Sequence, residues 1–329
     1  MSDNFYTDND DLRFHIDQTI DWAGLFGLVE HGASAEDRPE SVADARELYG
    51  DVLQEFGKYV ARKVDPLAGQ IDAEGTSLVD GEVVESPAFA KVFKGFRKLD
   101  MYGIPLPREL GGANMPALVY FIASDMLARA DTSCMTHFGF HSALSAALVT
   151  YALRDPRSKI ENGRLLSTPY DTEIADMATG RAWGCMVLTE PGAGSDLGAV
   201  RTLAVEDADG KWRLNGEKIF ITSGHGQYQL VLARSEDEQT AAGLKGLSLF
   251  LVRRKLEVDG KTVDNVRIAK VEHKIGHRGS PTVSLVYEDS VGELVGKRGE
   301  GFKLMTVLMN FARVGVGFEG LGVMEASWR

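Results

Sequence analysis

The chain has 329 residues, 44% of them apolar and 26% charged, with a formal net charge of −12. That length allows two or three domains with cores of their own, while the acidic balance and the lack of a Lys/Arg run argue against a nucleic-acid surface. No apolar run approaches the ~18 residues of a membrane span, so no membrane partner is expected.

The acidic start MSDNFYTDNDDL carries no secretory signal. Residues 1–40 read as a polar extension with one amphipathic piece, 12–29. Its Leu12, Ile16, Ile20, Leu25 and Leu28 are helically spaced, so it is expected to dock on the body. Ser41 with Asp44 marks a helix start. Tyr49, Val52, Leu53, Phe56 and Val60 give that helix one apolar face, and Pro66 is expected to end it. Residues 79–84 hold an Asp80-Gly81 turn, and Ser86-Pro87 caps a helix carrying Phe89, Val92, Phe93, Phe96 and Leu99. The loop PLPRELGG at 105–112 precedes apolar helices at 117–129 and 133–153 and a short one at 171–179. The spacing predicts an all-helical domain over 41–182. Cys134 and Cys185 lie in apolar contexts and read as buried free thiols, which points to a reducing compartment and a cytoplasmic protein.

From Trp183 the period changes to two. A strand at 183–188 runs into the loop Thr189-Glu190-Pro191-Gly192-Ala193-Gly194-Ser195-Asp196, and a strand at 199–206 follows. Asp209-Gly210 is expected to join strands 203–206 and 211–214, and Asn215-Gly216 to turn the second of these into 217–221. Strands at 229–234, 247–253, 266–272 and 282–287 complete an antiparallel sheet or barrel of roughly seven or eight strands over 183–291. Residues 302–328 read as a helix, weakened by Gly315, Gly317, Gly320 and Gly322. It is apolar nearly all round, so burial on most sides is expected. The fold class is therefore α+β: an all-helical N-terminal domain, an antiparallel β-barrel or sheet, and, over 292–329, the first helix of a C-terminal helical bundle.

In the loop at 189–196, Gly192 and Gly194 are expected to take positive φ and to let backbone N–H groups approach a ligand. Thr189, Ser195 and Thr222 add hydroxyls. The spacing Gly192-x-Gly194-x-x-x-Gly198 is too long for a dinucleotide fingerprint, a strand rather than a helix follows, and no G-K-[ST] closes the loop. As a whole, LTEPGAGSD followed by LNGEKIFITSG resembles the middle domain of the flavin-dependent acyl-CoA dehydrogenases, where the two segments hold the flavin ring against the acyl thioester. GEGFKLMTVLMNFAR extends the resemblance over most of the chain. The polar extension resembles the larger branch of that family, which includes enzymes acting on methylthio-propanoyl and long-chain thioesters.

The resemblance implies FAD and an acyl-CoA substrate. It assigns flavin contacts to Met186, Leu188, Thr189 and Gly194, and both flavin and thioester contacts to Ser195. The Thr222 hydroxyl would lie near the reactive nitrogen. Phe220 stands where many members carry Trp; it can cover the ring face but lacks the indole N–H, so a shifted flavin spectrum or affinity is expected. Asn310 and Arg313 share a helix face and match positions that reach the CoA pantetheine; the alternative is an Arg313 pair with Glu319. The family's base is a Glu, usually from a later helix and hence expected C-terminal to Arg329. In some members it lies beside the Arg, where this chain has Ala312, which cannot take a proton. No catalytic residue is assigned.

No metal site is expected. His137 and His141 are i,i+4 on an apolar helix with no evident carboxylate or Cys partner, so they read as packed or hydrogen-bonded. His273 and His277 flank Lys274-Ile275-Gly276, which matches a family loop near the ligand mouth, and read as structural; Cys185 reads as packed. By resemblance the chain belongs to an α,β-dehydrogenation of acyl-CoA in fatty acid metabolism. Electrons would pass to an electron-transfer flavoprotein or similar acceptor. The chain would act as an incomplete or split form, in a homo-oligomer or with a complementing subunit. The alternatives are a non-catalytic flavin- or CoA-binding partner subunit and an acyl-CoA oxidase relative that uses O2.

Overall fold

A computed structural model describes all residues except Met1, Ala35 and Asp37. The amphipathic piece at 12–29 is two helices, α1 (Asp10–Gln18) and α2 (Trp22–Val29), because Asp21 caps the second by accepting from the Gly24 N–H. Phe5, Ile16 and Trp22 are buried against the body. Ser41 caps α3 (Val42–Tyr59) by accepting from the Asp44 N–H. Pro66 does not end that helix: α3 loosens into a π turn at Val60–Val64 and then a 3₁₀ turn at Asp65–Leu67, which leads into α4 (Ala68–Glu74). Pro66 is tolerated because it sits in the first turn of the new segment, where its missing N–H has no helical partner to lose.

The helical domain is not all helical. Hairpin β1 (Thr76–Val79) and β2 (Glu82–Glu85) turns on Asp80-Gly81, and β3 (Lys159–Glu161) and β4 (Arg164–Ser167) turn on Asn162-Gly163. All four turn residues have positive φ, from 50° to 81°, as a two-residue turn matched to strand twist requires. Between them run α5 (Pro87–Lys98, capped by Ser86), α6 (Ala117–Ala130) and α7 (Thr132–Ala152), with α8 (Asp171–Ala178) after them. Phe56, Phe89, Phe96, Tyr102 and Phe138 fill the core they share.

β5 (Gly184–Val187), β6 (Leu203–Glu206), β7 (Trp212–Thr222), β8 (Tyr228–Arg234), β9 (Leu247–Arg253), β12 (Arg267–Val271) and β13 (Thr282–Val295) form one seven-stranded sheet. The hairpin β10 (Lys255–Val258) and β11 (Lys261–Asp264) stands apart. Because β9 pairs with both β13 and β8, strands β13, β7, β6, β8 and β9 close on themselves. The sheet is mainly antiparallel, but β5 and β6 each meet β8 in parallel, so an all-antiparallel barrel is corrected. Asn215-Gly216 is no hairpin turn but lies inside β7. Gly216 has φ of 153°, and a Cβ there would stand 2.5 Å from Thr202 Oγ1, so glycine is required by a close chain crossing.

The last helix, α9 (Gly301–Trp328), joins both halves. Leu304, Met305 and Leu308 are buried between α7 and the sheet, and the Tyr151 hydroxyl donates to the Leu304 carbonyl at 2.7 Å. Further along, Gly322 lets α9 touch α6: a Cβ would lie 2.7 Å from both Ala128 Cβ and the Asp125 carbonyl. The expectation of burial on most sides fails. Among the described residues only Gly301, Leu304, Met305, Leu308 and Gly322 of α9 are buried, whereas Val316 is 63% and Met324 64% exposed. By length and composition α9 is also apolar enough to cross a membrane, which corrects the expectation that nothing in the chain approaches such a span.

Asp125 is buried at this crossing with Oδ1 unbonded. Burial, joined by the charge of Glu325, pushes its carboxyl up to about 7 against the pull of Arg129. A carboxyl raised above its unfolded value of 3.8 stabilises the fold below that pH, and the contribution is lost as pH rises through 7. Asp125→Asn should therefore raise Tm relative to wild type by more at pH 8 than at pH 4. A difference in Tm that does not change with pH would contradict this origin.

Candidate functional site

The loop at 189–196 is fastened to β7 by a buried ion pair. Glu190 and Lys218 are 5% and 0% exposed, with Nζ 2.8 Å from Oε1. Lys218 also donates to the Leu188 and Leu232 carbonyls at 2.8 and 2.7 Å, so its three protons are used. Glu190 accepts from the Thr202 hydroxyl at 2.6 Å and from the Arg201 and Thr202 amides. Burial alone would raise the Glu190 carboxyl, but Lys218 and these donors bring it below its usual value. Burial draws the Lys218 ammonium down to about 8, with Glu190 opposing the fall. The sequence carried a signal for this lysine: it occupies an inward position in the alternation Trp212, Leu214, Gly216, Lys218.

Across this junction the Ile219 N–H donates to the Thr189 carbonyl at 2.9 Å, bringing LTEPGAGSD and KIFIT side by side. The loop closes on itself through Glu190 and Ala193, which exchange both backbone bonds at 3.1 Å. Gly192 and Gly194 do not take positive φ; a Cβ on either would meet nothing within 4 Å. They leave the loop's outer side open. The positive φ values fall instead on Phe220 (56°) and Ser223 (58°). Pairing of β7 with β13 shifts register between Lys218 and Ile221, and this bulge turns Phe220 outward, 61% exposed. Met186 and Leu188 flank the same strand end, half-buried and buried respectively. The hydroxyls of Thr189, Ser195 and Thr222 have no hydrogen-bond partner among the described residues.

A cavity of about 510 Å³ lies between α6, α7 and α9, with Phe121, Phe140, Phe311, Ala312, Gly315 and Val316 among its lining. Its polar wall is Thr136, His277 and Glu319, which sequence reasoning did not join. Glu319 Oε1 is 3.0 Å from His277 Nε2, and Thr136 Oγ1 is 3.0 Å from His277 Nδ1. The hydrogen bond that His277 donates to Glu319 raises the His277 pKa above its usual value, opposed by burial. Arg313 therefore does not pair with Glu319. Its guanidinium donates to Asn310 Oδ1 at 2.8 Å, both side chains are exposed, and neither lines the cavity. The cavity and Thr222 are linked by one loop: Thr222 faces Thr282 in register, and His277 lies in the turn that leads to Thr282.

His137 and His141 are fully buried and hydrogen-bonded, to Ser223 Oγ at 2.6 Å and to the Met177 carbonyl at 2.8 Å. Their burial holds both imidazoles neutral, with the His141 pKa lowered to about 4. The carboxylate that the sequence reading did not find near His137 is Glu85. It bonds His225 Nε2 at 3.2 Å, and the ligand-type atoms of Glu85, His137 and His225 lie within 4.8 Å of one another. His273 stands in the same loop as His277 without a described role, and Cys185 is packed at 0% exposure.

Residues 50–159 match the profile of the acyl-CoA dehydrogenase N-terminal domain, and residues 185–290 that of the acyl-CoA dehydrogenase middle domain. A 3-methylmercaptopropionyl-CoA dehydrogenase of Ruegeria pomeroyi is 32% identical over 97% of this chain and 51% of its own length. A short-chain acyl-CoA dehydrogenase of Clostridium acetobutylicum is 30% identical over 86% of this chain and 66% of its own. The butyryl-CoA dehydrogenase structure of Megasphaera elsdenii shares the fold, with a TM-score of 0.69 and 24% identity over 85% of this chain and 66% of that one. The chain thus spans about half to two thirds of the length of the relatives it matches.

Lys218→Ala leaves the buried Glu190 charge without its counter-charge and should cost about 3–5 kcal/mol in urea unfolding. Lys218→Met combined with Glu190→Gln should cost less than the single Lys218→Ala change. Equal losses would show that the pair does not act as a unit.

Proposed function

Because the chain belongs to the acyl-CoA dehydrogenase family, we propose that it binds FAD and an acyl-CoA thioester at the junction of loop 189–196, β7 and the cavity, in a site built for α,β-dehydrogenation. The observation that carries this reading is the apolar cavity of about 510 Å³ joined by one loop to a strand end that presents unpartnered hydroxyls and an outward-turned aromatic ring. The residues fit a flavin: Phe220 covers a ring face, Thr189, Ser195 and Thr222 are free to bond its polar edge, and the open sides of Gly192 and Gly194 leave space. Bound FAD supplies the acceptor for the hydride leaving the β-carbon.

The chain's own part is positioning. Phe121, Phe140 and Phe311 keep water from the acyl chain, which strengthens every polar contact at the thioester. Ser195 would contact both flavin and thioester, and Arg313, with no carboxylate partner among the described residues, would be free for the anionic CoA arm. Ala312 lines the cavity where a base would stand, and Glu319 is committed to His277. That observation favours a second reading, in which this chain binds flavin and thioester without turnover, as a partner subunit. Electrons would go to an electron-transfer flavoprotein or similar acceptor, or to O2 in an oxidase. The exposed apolar side of α9 supports a homo-oligomer or complementing subunit, and two buried free thiols support a cytoplasmic setting.

Purified chain loaded with FAD should shift its visible flavin spectrum when octanoyl-CoA is added without oxygen. Full bleaching would retire the second reading, and an unchanged spectrum would overturn the thioester site. Phe220→Ala should weaken FAD about threefold to tenfold. A Cβ at Gly315 would meet only Met135 Cε, at 3.8 Å, and its methyl groups would enter the cavity, so Gly315→Val should keep or raise Tm while lowering acyl-CoA affinity at least about tenfold.

A further inference from the structure

An ion pair in the wall of an otherwise apolar cavity is a selective feature, because each of its polar atoms must be satisfied or must face the occupant. The pair comes from two distant elements. Glu319 projects from α9, and His277 from the loop between β12 and β13, with φ of 54°. Thr136, from α7, completes it. The Glu319 and His277 side chains are 15% and 38% exposed. Phe121, Met135, Phe140, Phe311 and Val316 supply apolar surface around them.

Proton accounting shows what the wall offers. With His277 charged, Nε2–H donates to Glu319 and Nδ1–H to Thr136 Oγ1, while the Thr136 hydroxyl donates to Glu319 Oε2 at 3.5 Å. With His277 neutral and protonated on Nε2, the Thr136 hydroxyl donates to Nδ1 instead. In both arrangements every proton of the trio is used within it. What remains toward the cavity is acceptor only: carboxylate lone pairs of Glu319 and a hydroxyl lone pair of Thr136. An alkyl tail laid there would leave those acceptors dry and unpaired, which is unfavourable for a charged group above all.

We propose that the Thr136–His277–Glu319 wall selects acyl thioesters whose chain carries a hydrogen-bond donor, a hydroxyl or amine near its far end, over plain alkyl chains of the same length. The inference rests on the acyl-CoA reading of the cavity. It names the substrate class by the group that complements the wall. Along α9 the wall sits two helical turns, about 10 Å, from Ala312, so the donor belongs several carbons from the thioester.

The test is calorimetric titration of the FAD-loaded chain with hexanoyl- and octanoyl-CoA and their ω-hydroxy counterparts. At one of the two lengths the hydroxy thioester should bind on the order of tenfold more tightly or better, as expected for a hydrogen bond to a charged acceptor. Glu319→Gln, which places an amide donor in the wall, should reduce that preference severalfold. Glu319→Leu should reverse it, with circular dichroism confirming that both variants remain folded. Equal binding of plain and hydroxy thioesters at both lengths overturns the wall's selectivity and leaves the acyl-CoA site intact. A preference that survives Glu319→Leu also overturns it. Binding of no thioester at all overturns the acyl-CoA reading and the selectivity together.

Discussion

The site depends first on one buried charge pair. Lys218 and Glu190 belong to two segments that are 28 residues apart, and their contact fixes the loop after β5 to the side of β7. Taking both charges out of water is costly, and what offsets the cost is saturation: three acceptors around the ammonium, and three donors besides Lys218 on the carboxylate. Such a pair is less a source of stability than a means of fixing geometry. It holds Thr189 beside Ile219, and the strand continues from there into the bulge that turns Phe220 outward.

The second organiser is α9, which serves as wall, strut and crossing partner at once. Its first turns sit under the sheet, and its middle lines the cavity. Its later part crosses α6 at Gly322, where a side chain would strike backbone. The glycines that lower its helix propensity have different reasons: Gly322 permits the crossing, and Gly315 and Gly320 leave open space in the cavity wall. Bulk added at these positions would alter the architecture or the cavity rather than only the helix.

Local signals were readable from the sequence. Ser41 and Ser86 cap the helices they precede, Asp80-Gly81 and Asp209-Gly210 turn hairpins, and the change of period at Trp183 marks the start of the sheet. Motif resemblance reached the loop and β7. What escaped was set by distance in the chain. Asn215-Gly216 carries a turn signature but is held extended by Thr202, a contact that only the folded sheet supplies. Gly192 and Gly194 looked like positive-φ positions, yet the strained residues are Phe220 and Ser223, because the bulge is imposed by pairing with β13. Thr136, His277 and Glu319 come from a helix, a loop and another helix, and no periodicity links them. The apolar circumference of α9 argued for burial, and much of it stays exposed.

The ties of the N-terminal extension have a consequence for the order of assembly. Arg129 holds Asp8 at 3.0 Å and Glu325 at 3.4 Å, with Asn9 also bonding Glu325 across 316 residues. On a ribosome, 196 residues separate Arg129 from Glu325. At cellular elongation rates that is roughly 10 to 40 seconds. Throughout that interval the extension can already be held by Asp8 on Arg129, by the Glu30 carboxylate on Arg108 at 2.7 and 2.8 Å, and by the packing of Trp22 on Tyr49, with ring centroids 5.8 Å apart. The α6 surface that will receive Gly322 stays bare. The closing of that face by α9 is therefore a late, long-range step in the assembly of the fold.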